Sequence, residues 1–150
     1  MTASLELTVD VAATVEQTWA GVTGWERQGE WMLGTSVQAK GQPGVGEQIE
    51  AFTGVGKLGF LDTMVVTRWE PPHRCDVLHT GRVVRGTGTF EVRAKGQASQ
   101  LVWREDLELP WGRLGQIGWP VVRPFFRAGV KHSLKRFAAW VSDPGTQAAA

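Results

Sequence analysis

The chain has no tyrosine and only one cysteine among its 150 residues. A lone Cys75 excludes an internal disulfide and fits a reducing, cytoplasmic setting. Long apolar runs are missing, so neither a membrane span nor stable membrane insertion is expected. The start, MTASLELTVD, lacks a basic region followed by an apolar stretch and does not read as a secretory signal. There is no Gly-x-Ser-x-Gly for a nucleophile elbow. The glycines of GVGEQ and GVGKLG open no helix after a strand, which argues against a phosphate loop or a dinucleotide fingerprint. His73, Cys75 and His79 match no usual metal-ligand spacing, and Cys75 has no convincing base beside it. No metal and no cofactor are expected.

What the chain does have is tryptophan, eight of them. Indole is large and seldom left on the surface, so the core or a cavity wall must be rich in it. Charge is divided unevenly. Residues 1–111 carry 10 Lys/Arg and 14 Asp/Glu, net −4, whereas residues 112–150 carry 6 basic and 1 acidic residue, net +5. The C-terminal part is a basic element on a mildly acidic body. It reads as a solvated helix face, with a basic surface for anionic lipid or nucleic acid as the sharper alternative, and no nucleic-acid partner is expected.

The length suits one domain, ordered over about 3–142, with a loose tail at 143–150. LELTVDV alternates as a first strand. Thr14 caps a short helix burying Val15 and Trp19, and Gln17 completes a capping box. Residues 24–33 read as a second short helix or turn. Six strands then follow with Gly/Pro punctuation, an antiparallel meander. Thr53, Thr63 and Thr67 fall on inward-reading places. In the last strand Leu101, Trp103, Glu105, Leu107 and Leu109 share a face. From 112 to 142 the pattern is helical, with Val122, Phe126, Val130, Leu134, Phe137 and Val141 on one stripe. Pro120 and Pro124 predict a break, a short segment over 112–119 and a long helix from about 124. That helix is the one element large enough to cover the sheet.

This order, with GQPGVGEQIEAF, the WEPPHR break, the GTGTFEV strand and the closing helix, resembles the polyketide cyclase/dehydrase and lipid-transport branch of the START-like superfamily. The resemblance covers roughly residues 3–142. It implies an α+β helix-grip fold, a curved antiparallel sheet of about seven strands in β-α-α-β6-α order around a long C-terminal helix. It also implies a ligand cavity between sheet and helix. Members bind sterols, lipids, hormones and polyketides, and only some are enzymes.

The strand VVRGTGTFEV is bare at Gly86 and Gly88 on its apolar face. Glycine there marks a bend or room for something else. A turn over Lys95–Ala98 pairs Val92 with Leu101, Phe90 with Trp103 and Gly88 with Glu105. A two-residue turn at Gly81-Arg82 pairs Val77 with Gly86 and Cys75 with Gly88. Cys75, Gly88 and Glu105 then share a row, with open space beside Glu105. Glu105 reads either as a pocket carboxylate, the one catalytic candidate, or as a bulged or paired side chain. The same register puts His79 beside Val84, about 13 Å along and about 10 Å across from Glu105. A His79–Glu105 dyad is therefore not expected, and His79 reads as a rim residue.

Trp31, Trp69, Phe90, Trp103, Phe126 and Phe137, with Val122 and Val130, read as core or cavity lining. Gly86, Gly88, Cys75, Val77 and Glu105 complete the expected ligand-binding set. WGRLGQIGWPVVRPFF, with exposed-looking Trp111 and Trp119, reads as a broken helix end or as a lid over residues 111–124. The expected function is binding of a small hydrophobic or aromatic molecule. The alternatives are a polyketide cyclase or dehydratase, or a membrane- or partner-binding module using Arg127, Lys131 and Lys135.

Overall fold

The computed structural model describes residues 2–149. LELTVDV lies in strand β1 (Thr2–Val11), which buries Ala3, Leu5, Leu7 and Val11. Helix α1 (Val15–Thr23) begins on the expected capping box. The Thr14 hydroxyl accepts from the Gln17 N–H, and the Gln17 side chain accepts from the Thr14 N–H. A 3-10 helix (Trp25–Glu30) follows.

The meander consists of β2 (Thr35–Lys40), β3 (Gln48–Val55), β4 (Leu58–Glu70), β5 (Arg74–Thr80), β6 (Arg85–Lys95) and β7 (Ala98–Glu108). The seven strands are ordered β1-β7-β6-β5-β4-β3-β2, antiparallel at every step. Only β1 is out of sequence. It docks on the free side of β7, with Leu5 opposite Glu105. One face of the sheet carries the core, which includes Val37, Ile49, Val66, Cys75, Val77, Val92 and Leu101.

Helix α2 (Arg113–Ser142) closes the core and completes the α+β helix-grip fold. Leu134, Phe137 and Val141 are buried, and Phe137 meets Trp31 edge to face with ring centres 5.0 Å apart. The expected break at the prolines does not occur, since α2 is continuous through Pro120 and Pro124. The reason lies in exposure. Each proline withholds an N–H from the carbonyl four residues earlier, on Gln116 and Pro120. Both residues are exposed, so water can take those carbonyls. The tail carries a further element among its described residues. Asp143 caps a short helix α3 (Pro144–Ala148) by accepting from the Gly145 and Thr146 N–H groups.

Candidate ligand cavity

The register between β6 and β7 is as expected, with Gly88 opposite Glu105 and Gly86 opposite Leu107. Between β5 and β6 it is not. The strands are joined by four residues, 81–84, so Val77 sits opposite Gly88, Cys75 opposite Phe90 and His79 opposite Gly86. A slip of two residues keeps every side chain on its face but moves the row. His79 therefore lies one diagonal from Glu105.

The dyad excluded by the expected register forms. Nε2 of His79 donates to Oε2 of Glu105 at 3.0 Å. Nδ1 donates to the Asp62 carboxylate at 2.9 and 3.0 Å. Oε1 of Glu105 accepts from the Trp103 indole at 2.5 Å. His79 is 6% exposed and is no rim residue. Burial alone would push its pKa down. The hydrogen bonds to Asp62 and Glu105, with their charges, override that and raise it to about 10. His79 is thus an imidazolium clamped between two carboxylates, and the cluster carries net −1.

The two glycines act differently. Gly86 has φ of +123°, and a Cβ there would collide with the Asp106 carbonyl oxygen. It is a close backbone approach that only glycine fits. Gly88 leaves room that Glu105 occupies. A Cβ would meet its two carboxylate oxygens at 3.1 and 3.2 Å and Val77 at 3.0 Å. The bare patch on β6 is the bed of the Glu105 carboxylate.

Asp62 was hidden by a bulge. Counting back by twos from inward Trp69 turns Thr67 and Thr63 inward. The ladder between β4 and β5 shifts between Val66 and Arg68, so Val66 and Trp69 both reach the core. Phe60, Asp62 and Met64 consequently face the cavity. Thr63 instead pairs with Thr80, and Thr67 bonds the Asp76 carbonyl. Thr53 faces the cavity as expected.

The cluster lies in the wall of a cavity of about 300 Å³ between the sheet, the 3-10 helix and α2. Phe90, Trp103, Glu105, Phe126 and Val130 line it, as does His79. Several residues of the expected set lie elsewhere. Trp69 stacks edge to face on Trp19, with ring centres 5.0 Å apart. Cys75 and Val77 are sealed in the core, and burial pushes the Cys75 thiol up to about 12. Trp31 and Phe137 are core as well. Val122 lines a second cavity. Sequence reasoning missed Trp25, Gln28 and Met32, which the 3-10 helix and the turn after it bring to the cavity. Gln28 is buried there, yet its carboxamide makes no side-chain hydrogen bond among the described residues.

The second cavity is also about 300 Å³. It lies between the 81–84 connection, the end of β7 and the first turns of α2. Its walls include Leu109, Trp111, Leu114, Trp119 and Val122, and its two charged residues, Arg85 and Glu108, pair at 3.5 Å. Val84 and Leu107 belong to both cavities. Arg127, Lys131 and Lys135 lie apart from both, along Glu6–Val9 of β1.

The family model described as polyketide cyclase / dehydrase and lipid transport matches residues 2–141. The uncharacterized protein Rv1546 of Mycobacterium tuberculosis is 34% identical over 143 residues, covering 91% of this chain and 96% of that protein. Among solved structures, the protein TTHA0849 of Thermus thermophilus superposes with a TM-score of 0.80 at 14% identity, covering 93% of this chain and 97% of that one. The Zhui aromatase/cyclase of Streptomyces sp. R1128 gives 0.76 at 15%, covering 94% of each. The di-domain ARO/CYC StfQ of the steffimycin biosynthetic pathway gives 0.75 at 12% over 94% of this chain. The chain spans about half, 51%, of StfQ. At these identities the structural likeness speaks for the fold.

Proposed function

We propose, because this chain belongs to the polyketide cyclase / dehydrase and lipid transport family, that it binds a small hydrophobic molecule in the cavity beneath α2. One observation carries the reading: a cavity of about 300 Å³, mostly apolar, with one charged cluster in its wall. That is the usual make-up of a small-molecule site, where apolar walls give affinity and a few polar groups fix orientation. Gln28 adds a carboxamide that a ligand can satisfy. The test is native mass spectrometry of the purified protein, with isothermal titration of naphthol as a compact probe. A co-purified apolar molecule or saturable naphthol binding supports the reading. A chain that emerges empty and takes up no naphthol refutes it.

A second reading rests on the Asp62–His79–Glu105 cluster itself. Proton-transfer catalysis needs polar groups converging on one point, and the register that denied this has been replaced. Glu105 is held by two N–H donors at the edge of an apolar cavity, the setting of a positioned general base. Two of the structural neighbours are aromatase/cyclases. On this reading Glu105→Gln removes turnover of a β-hydroxy ketone while leaving its binding nearly unchanged. Equal turnover by both proteins eliminates the reading.

A further inference from the structure

The cavity's charge and its neighbour together describe its occupant more narrowly. Among the described residues, Asp62, His79 and Glu105 are the only charged ones in the first cavity's wall. Both N–H groups of His79 are spent on carboxylates. No cation remains there to receive a carboxylate or phosphate, and the cluster's net −1 repels one. An anion brought to this end is desolvated without a cationic partner and beside like charge, which is costly. A hydroxyl fares differently. Each carboxylate oxygen has two lone pairs, and Glu105 uses one on each of its oxygens. A hydroxyl can donate to those that remain.

The second cavity supplies length. It shares the wall residues Val84 and Leu107 with the first, and Val84 lies in the 81–84 connection, outside the ladder. Its walls are almost wholly apolar, and its one ion pair is self-satisfied. Hydrocarbon reaching it needs no polar partner.

We propose that the ligand is an elongated molecule with a non-anionic hydroxyl head at Glu105 and a hydrocarbon body that passes Val84 and Leu107 into the groove under the first turns of α2. This rests on the cavity being a ligand site, and it adds both the head-group chemistry and the second chamber. Naphthol, hexadecanol and hexadecanoate distinguish the parts at neutral pH, by isothermal titration with the long chains supplied from cyclodextrin. Gly118 lines the groove, and a Cβ there meets nothing within 4 Å. Gly118→Trp should therefore fold and fill the second chamber, with Val122→Trp as an independent filling variant.

Hexadecanol should bind at least about tenfold more tightly than hexadecanoate, as expected when a buried charge lacks a partner. Either filling variant should weaken hexadecanol by at least about tenfold, the scale on which one or two displaced methylenes act. Naphthol affinity should stay unchanged. Glu105→Gln, which brings the cluster to neutral, should narrow the gap between alcohol and acid. Hexadecanoate binding as well as hexadecanol overturns the head-group assignment. Unchanged hexadecanol affinity in both filled variants overturns the second chamber. Naphthol binding without hexadecanol overturns the elongated ligand alone. If neither binds, the underlying cavity reading falls with it.

Discussion

Gly86 and Gly88 face the same side of β6 but meet different obstacles, and substitution should separate them. Gly86→Ala places a methyl against the Asp106 carbonyl at a backbone angle alanine rarely adopts. A loss of about 3 kcal/mol or more is expected, seen as a lowered denaturation midpoint. Gly88→Ala presses on the Glu105 carboxylate, which can give by a few tenths of an ångström. The expected cost is about 1 kcal/mol, with the larger effect on the His79–Glu105 hydrogen bond. His79 sets a pH dependence. Its folded pKa of about 10 lies above the ordinary 6.5, so folding favours the protonated ring. That contribution is whole below pH 6.5 and is lost as pH rises through about 10. Stability should therefore fall across that window, and His79→Gln should flatten the fall. A nuclear magnetic resonance titration showing the His79 ring neutral at pH 8 would contradict the assignment. Glu105 itself was legible from sequence, because it interrupts an apolar series. His79 was misplaced and Asp62 went unnamed because alternation shows which face a residue takes, while the turn length and the bulge decide who its neighbours are.

Helix α2 divides its work along its length. Its second half buries Leu134, Phe137 and Val141. Its first half leaves Leu114 and Phe125 each 75% exposed, on an exposed stripe with Ile117 and Val121 whose Leu114 also edges the second cavity. Phe137→Ala should cost about 3–5 kcal/mol, because it opens a hole among Trp31, Gly21 and Trp140. Leu114→Lys with Phe125→Lys should change stability by less than about 0.5 kcal/mol per site, because neither packs in the core. Chemical denaturation of the two variants checks the contrast. A large loss in the surface pair would mean that the first half of α2 is covered in solution. The stripe of α2 was readable from its period. Its continuity was not, because a proline's effect depends on whether its stranded carbonyl meets water or protein. Residues 111–124, which read as a broken helix end or a lid, form a turn and then unbroken helix, and they line the second cavity.

At the scale of the whole molecule the sheet was legible, strand by strand, because each run alternates and each link carries glycine or proline. The pairing of β1 with β7 was not, since no local signal says where an edge strand docks. A ligand cavity came with the family resemblance, but the second cavity did not. It arises between the 81–84 connection, the end of β7 and the first turns of α2. If the first cavity is preformed, occupancy should stabilise the entire chain by mass action. Naphthol at a hundredfold excess over its Kd should add about 2.7 kcal/mol. For a domain of this size that is a rise of roughly 5–10 °C in denaturation temperature. No rise at saturation would show that the native state does not gain from binding. The missing tyrosine has a last consequence. Excited at the red edge of indole absorption, the chain emits from indole alone, and among the described residues only Trp25 and Trp103 bring indole to the first cavity's wall. Trp103 hands its N–H to Glu105, and Trp25 hands its own to Glu47 at 3.1 Å. A change of charge or of solvent at Glu105 is therefore written directly into the colour of the protein's own fluorescence, with no dye attached.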